Sequence, residues 1–550
     1  MSTTTQNEEA VHVSPLVEWL GDRQLALRWP HLLVCVWVAT FFIYINNMPL
    51  FHTDLWGHVA YGHWILDAGE LPQEDPFLSL ADGMPVIASA WLSQIALAGA
   101  DRLGGAEGLS GLFAVVTTSI YALLTWAFYL RTKRLGLAVA GATLVLMLGS
   151  TRMAVIRTEI FGGLALAVIV LAMSAIDAAF SIEQLENRSP WRRFWPALIA
   201  VPLLFVLWAN AHGSFVVGLA IVGARVPGRL IDVWWKSRSL SVALTDQRFR
   251  FWLVLTEICF AATLLNPYGL DLLINAFMFP GNPNLAAVLE WKKLPLISIE
   301  GILWAFSWVL MLVVLRHSRH RIGAGEIVLL AVFNYSVVMS VRMIGWYAVV
   351  YAYFLLPHIA ELLSRWVPLS QANKTADDST SLFMKLRQPS LVYSAVCALV
   401  LWFGFAFSPM GNQILGGEPR RQAKVYSSAT PRELTKYLRE HPPQGRIWNP
   451  QWWGDWLVHD GPPNLQLFMT TNAVHVVPNQ VWRDYLSVAR ANPRWPAILK
   501  KYRVSTIIVH KELQLGLDDR VRTQSGWEIV YEDDLAVVLT RHIDPDNESN

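Results

Sequence analysis

Long apolar runs separated by short polar segments fill the chain up to about residue 408. Crossing about 30 Å of hydrocarbon takes around 20 helical residues. Runs of that kind, or a little shorter, lie at roughly 31–49, 109–130, 135–150, 159–180, 194–210, 213–227, 251–266, 301–315, 324–341, 343–364 and 390–408, so the pattern predicts about eleven transmembrane helices. Residues 135–150 and 213–227 are short for a crossing, and a re-entrant segment is the alternative for the second. After residue 408 charges and prolines rise, and strand-like runs occur at Ser505–Val509, Trp527–Tyr531 and Ala536–Leu539 behind a short helical stretch, Pro496–Tyr502. The expected fold class is an α-helical multi-pass membrane protein with a small C-terminal α/β domain. Its parts are an N-terminal segment 1–30, a membrane domain 31–408 with a polar linker at 367–389, and an appended domain 409–550.

The polar stretch between the first two runs, residues 50–108, carries the densest chemistry. A helix fits Leu55–Ala68, with Leu55, Val59 and Leu66 on a face suited to lie along a membrane interface. Asp54 and His58 are four apart and share a helical face. Asp54, Glu74 and Asp75 are carboxylates beside a bilayer, where charge is costly unless paired or wet, so they mark a site.

Composition agrees with the pattern. Of the 550 residues 54% are hydrophobic and 16% charged, against about a quarter charged in soluble domains. The net charge of +2 does not argue for nucleic acid, because the basic residues sort by membrane side. With the N-terminus in the cytoplasm, the cytoplasmic loops hold 19 Lys and Arg, and the opposite loops hold six: Arg102, Arg152, Arg157, Lys292, Lys293 and Arg342. That bias places the 50–108 loop and the 409–550 domain outside the plasma membrane. Cys35, Cys259 and Cys397 all lie in apolar runs, so no disulfide framework or zinc motif is present. No small-residue cleavage site follows the first run, which is expected to stay as an anchor.

Four motifs occur in order in the 50–108 loop. Asp54-Leu55-Trp56-x-His58 comes first, then G-x-W-I-L-x-x-G-x-L-P from Gly62 to Pro72, Asp75-Pro76-Phe77, and Trp91-Leu92-Ser93-Gln94. Together they resemble the first outer loop of bacterial GT-C-type membrane glycosyltransferases, in the group similar to protein mannosyltransferases and lipopolysaccharide-core transferases. The stretch GRIWNPQWWGDWLV from Gly445 to Val458 resembles the C-terminal appendage of that group. The resemblance implies a GT-C fold and transfer of a sugar from a polyprenyl-phosphate donor to a glycan, lipid or protein acceptor at the outer face. It also implies a catalytic carboxylate just after the first helix, at Asp54, with Asp75 as the second acidic position. Two departures bear on the acceptor chemistry: His52 stands where another acid is expected, and Ala88-Ser89-Ala90 precedes Trp91 in place of a polar or acidic pair.

Inverting transfer needs a base for the acceptor hydroxyl and donors for the departing phosphate. Asp54 suits the first role, oriented by His58, although an Asp here also suits a helix N-cap. Asp75 precedes Pro76, a common turn arrangement. Arg152, Arg157 and Arg342 sit at outer ends of apolar runs, where a guanidinium fork can hold a lipid phosphate or simply snorkel to the interface. Asn210 and His212, in the Trp208–Gly213 turn, can meet sugar or phosphate, or satisfy the turn itself. Glu257, in the middle of a run, is expected to be buried and paired or protonated.

No cofactor is expected. His52, Asp54, His58 and His63 contain no H-x-x-x-H pair; in the families resembled, monophosphate donors often need no metal and diphosphate donors usually do, so a divalent ion stays open. Asp544-Pro545-Asp546 has the letters of D-x-D but lies in a polar tail. The absence of a G-x-x-x-x-G-K-[ST] loop excludes an ATP motor of that type. Two other readings remain: a transporter or flippase of lipid-linked sugars, for which no internal repeat is visible, and a non-catalytic scaffold whose outer domain binds glycans.

Overall fold

The computed structural model describes residues 27–81, 83–152, 156–186, 190–366 and 390–541. The N-terminal segment before Leu27, the linker 367–389 and Asp544-Pro545-Asp546 lie outside the described residues.

The chain is an integral membrane protein. Among the described residues six helices are long and apolar enough to cross a bilayer: Trp29–Asn47, Trp91–Thr132, Glu159–Phe180, Phe194–Ala211, Ile299–His317 and Val341–Arg365. They take up six of the eleven or so runs anticipated from hydropathy. Runs 135–150, 324–341 and 390–408 form the shorter apolar helices Leu135–Gly149, Ala324–Met339 and Leu391–Ala406. Run 251–266 falls on Gln247–Thr263, with Glu257 on its exposed side and not buried. Run 213–227 breaks in two, Phe215–Gly223 and Arg225–Ser237. A further short apolar helix, Leu270–Gly281, was not anticipated.

Trp91–Thr132 is interrupted at Gly105, whose φ of 56° favours a residue without Cβ. The part before the break packs on helix Asp54–Ala68, and the part after it enters the bundle. Beside the break, Glu107 takes a two-pronged contact from Arg420 at 2.7 and 2.6 Å, which pins the start of the appended domain to the bundle.

That domain contains a five-stranded mixed sheet in the order β2-β1-β3-β5-β4. Strands β1 (Arg446–Trp448), β2 (Gln466–Leu467) and β3 (Val504–His510) run parallel. Strands β4 (Trp527–Glu532) and β5 (Ala536–Arg541) close the sheet antiparallel. Central β3 is almost wholly buried, with the apolar run Ile507-Ile508-Val509 filling both faces, as a strand covered on both sides requires. The domain core also takes in Leu78, Ala81 and Leu285 from loops of the membrane domain.

Helix Asp54–Ala68 is therefore not an interfacial helix open on its apolar face. Leu55 and Val59 are buried while Leu66 is exposed: these three share a face with Gly62, which packs on the helix that begins at Trp91, and helix Gln451–Asp460 covers the opposite face at Gly57. Trp56 is buried against Trp456 (4.9 Å between centroids, edge to face) and His459 (4.6 Å). On its other flank, a Cβ at Gly62 would stand 2.0 Å from the Gln94 carbonyl oxygen and 2.6 Å from its carbon. Backbone cannot yield as a side chain does. Gly62→Ala is expected to cost about 1–3 kcal/mol or more from overpacking, read as a lowered Tm of the purified protein.

Candidate functional site

Asp54 is the first residue of its helix, not the cap; Thr53 takes the cap position without a side-chain hydrogen bond. The Asp54 carboxylate instead forms an ion pair with Arg157 at 2.7 Å. Arg157 lies just before helix Glu159–Glu186 and also holds Glu290 at 2.5 Å. Glu290 holds Arg342 at 2.8 Å, and Arg342 reaches Glu159 at 3.5 Å. The result is a line of alternating charge, Asp54–Arg157–Glu290–Arg342–Glu159, each side chain between 17 and 23% exposed. At that exposure the Coulomb terms exceed those of a surface pair, and each group needs its partner.

Three histidines face this line. His58 Nδ1 lies 3.3 Å from the Gln94 amide nitrogen. Burial pushes its pKa down to about 4, with Asp54 opposing and Arg157 and Arg342 adding to the shift. His212 accepts the Ser214 backbone N–H at Nδ1 (3.1 Å), and burial lowers it to about 4 against the pull of Glu159. His475 comes from the appended domain and stacks on Phe279 at 4.3 Å; burial, then Arg342 and His58, bring it to about 4. Phe279 meets Trp291 edge-on at 5.4 Å, and Trp291 lies 5.2 Å under the Arg342 guanidinium. At neutral pH these imidazoles are uncharged donors and acceptors.

Asp455, on helix Gln451–Asp460, is the group that sequence reasoning did not reach. A Cβ on Gly57 would stand 2.7 Å from its Cγ, so this carboxyl lies directly on the helix that begins with Asp54. The Thr471 backbone N–H donates to Oδ1 at 3.1 Å, and the Thr471 hydroxyl donates to Oδ2. Burial, then the neighbouring Asp54, raises the pKa to about 7, against the Thr471 hydrogen bonds. Below the ~3.9 of an unfolded Asp both states hold the proton. From there to about pH 7 the unfolded chain releases its proton while the folded one keeps it, so stability falls as pH rises through that window and levels off above it. Asp455→Asn is expected to remove this fall, checked by Tm measured from about pH 4 to 8 for both proteins.

The other anticipated residues separate by position. Asp75 Oδ1 accepts the N–H groups of Phe77 (2.9 Å) and Leu78 (3.0 Å). Its Oδ2 accepts the Tyr61 hydroxyl and the Asn472 amide, the latter at 3.1 Å, so Asp75 fastens the loop to the helix and to the appended domain. Asn210 accepts the Trp91 indole N–H at 2.9 Å and donates to the Val206 and Leu265 carbonyls at 2.8 and 3.0 Å, which commits its amide to tying helices together. Arg152 ends a 3-10 turn, Ser150–Arg152, and its side chain lies outside the described part of the structure. Of the His52, Asp54, His58 and His63 cluster, which contains no H-x-x-x-H pair, His63 pairs with Asp101 at 2.8 Å. Arg157 and Arg342 stand between Asp54, Glu290 and Glu159, and among the described residues no group of three His, Cys, Asp or Glu could hold a metal ion. Glu159, Glu290 and His475 join the site with no motif to announce them.

No family model and no curated protein matches the sequence. Solved structures match by shape. An oligosaccharyltransferase from Archaeoglobus fulgidus in the apo form superposes with a TM-score of 0.50 at 12% identity, covering 88% of this chain and 70% of the other. The chain shares the fold of this enzyme over most of its length, a GT-C-like fold. The same archaeal enzyme, tethered by a disulfide to an acceptor peptide with an NVT sequon, gives a TM-score of 0.50 at 12% identity over 95% of this chain and 74% of that one. ArnT from Cupriavidus metallidurans in the apo state gives 0.46 at 14% identity, over 93% of this chain and 97% of its own.

Proposed function

We propose that this protein is a glycosyltransferase that moves a sugar, with inversion, from a polyprenyl-phosphate-linked donor to a hydroxyl on a glycan, lipid or protein acceptor at the outer face of the membrane. The observation that carries the reading is the Asp54–Arg157–Glu290–Arg342 line, where the Asp54 carboxylate meets Arg157 and Glu290 bridges Arg157 to Arg342. The GT-C fold supports the transferase class, and the 19-to-six distribution of cations supports the outward orientation.

In this reading Asp54 takes the acceptor proton as the new oxygen–carbon bond forms at the anomeric centre. The bond from that carbon to the phosphate oxygen breaks, and the phosphate leaves with the electron pair. Arg157 and Arg342 receive the leaving charge through their forks. At rest, Asp54 and Glu290 hold the guanidinium groups in place. A donor phosphate competes for the same donors and frees Asp54 to face the acceptor. His58, His212 and His475, neutral through burial, supply hydrogen bonds without repelling the arginines.

Purified protein incubated with radiolabelled polyprenyl-phosphate sugars and envelope extract is expected to move label from the organic-soluble donor into an acceptor. Folded protein that transfers label from none of the donors would overturn the transferase reading. Label crossing sealed vesicles unchanged would establish the transporter instead.

A further inference from the structure

The segment between helices Phe215–Gly223 and Gln247–Thr263 is amphipathic with its polar side turned inward. Helix Arg225–Ser237 spends its polar face on the protein. Arg225 meets Asp177 at 2.9 Å and the Tyr353 hydroxyl at 2.7 Å. Arg229 clasps Asp246 with two bonds at 2.9 and 2.8 Å, and Asp232 accepts the Ala324 backbone N–H at 3.1 Å. Asp232 and Asp246 are the only acids between residues 225 and 250, so the inward face uses both.

What faces away from the protein is apolar. Ile231, Trp234 and Trp235 are exposed on this helix, and Leu240, Val242 and Leu244 on the short helix Leu240–Thr245 that follows. Exposed cations flank this surface: Lys236, Arg238 and Arg250, with the Arg238 guanidinium 4.5 Å over the Trp235 ring. A contiguous apolar surface of this kind is rare on a water-facing monomer. Paired tryptophans beside Lys and Arg suit the boundary between hydrocarbon and headgroups. Both neighbouring helices pack in the bundle, which keeps the segment at membrane level.

We propose that Arg225–Thr245 lies in the interfacial layer of the bilayer and binds the headgroups of anionic phospholipids. The apolar side chains enter the edge of the hydrocarbon. Lys236, Arg238 and Arg250 meet the phosphates, with no exposed carboxylate in the segment to neutralise them. The inference is independent of the transferase reading, since it uses no residue of that site.

Full-length protein in nanodiscs of phosphatidylcholine and phosphatidylglycerol tests it, with retained lipid counted by native mass spectrometry. Wild type is expected to retain phosphatidylglycerol over phosphatidylcholine, and this selectivity should fall by roughly fivefold for each charge removed in the series Lys236→Gln, Arg238→Gln and Arg250→Gln. These residues are exposed, and unchanged Tm in detergent would confirm that the variants fold. A spin label at Val242→Cys, with Cys35→Ser to avoid background labelling, is expected to be more accessible to oxygen than to a water-soluble nickel chelate. Equal selectivity in wild type and the triple variant would overturn the headgroup site. Bulk-water accessibility at position 242, or dipolar broadening from a second copy, would overturn the interfacial placement.

Discussion

Asp54→Asn is expected to cut turnover by about 10²–10⁴-fold, the usual contribution of a general base, while donor affinity stays near wild type or tightens as phosphate meets less competition for Arg157. The amide keeps the size of the side chain and can still face Arg157, but it cannot take the acceptor proton. Losing the carboxylate does not strip the phosphate ligands, because Arg157 retains Glu290 at 2.5 Å and Arg342 retains Glu290 at 2.8 Å. Folding should survive, since Asp54 supplies no cap hydrogen bond and its helix is held by Trp56, Val59 and Gly62. Asp75→Asn is the informative control. Its carboxylate serves the loop backbone, Tyr61 and Asn472, so the variant should lower Tm more than it lowers turnover per folded molecule. The measurement is kcat, donor KM and Tm for both variants side by side. Turnover of Asp54→Asn within a few-fold of wild type would remove Asp54 as the base.

Much of this arrangement was legible in the sequence where a local rule governs it. The helix after the first run, anticipated at Leu55–Ala68, forms at Asp54–Ala68, and Gly69 in the left-handed region ends it. Strands β3 to β5 stand where β-branched and aromatic runs placed them. Arg157 and Arg342 could be singled out because they run against the charge bias of their side of the membrane. Their partners could not. Glu290 lies 133 residues from Arg157 and Asp455 is carried by the appended domain, so no spacing rule connects either to Asp54. A signal was present for Asp455 in retrospect: a lone acid in the apolar stretch Trp452–Leu457, beside Gly454, is costly to bury without a purpose. Strands β1 and β2, of three and two residues, are too short to show a period. The interfacial reading of Leu55–Ala68 failed because an amphipathic face does not reveal whether lipid or another part of the protein covers it; here helix Trp91–Thr132 does, while helix Gln451–Asp460 covers the opposite face.

Arg342→Lys is expected to raise the donor KM by about 10–100-fold, what losing one charge-assisted hydrogen bond of about 1.5–3 kcal/mol amounts to. Lysine keeps the charge that Glu290 requires but lacks the planar fork that grips two phosphate oxygens. Arg342→Ala is the weaker experiment, because it leaves Glu290 and Glu159 short of a cation in a site only about a fifth exposed, and the fold suffers along with the activity. Glu290→Gln separates the two effects. If Glu290 holds the arginines until donor phosphate arrives, removing its charge should lower Tm yet leave donor KM unchanged or smaller, because phosphate then meets less competition. Purely structural ion pairs make the opposite prediction: Arg157→Lys and Arg342→Lys would keep wild-type donor KM and kcat, and Glu290→Gln would lower Tm and activity together. Donor KM, kcat and Tm across these three variants decide between a phosphate cradle and a structural strut.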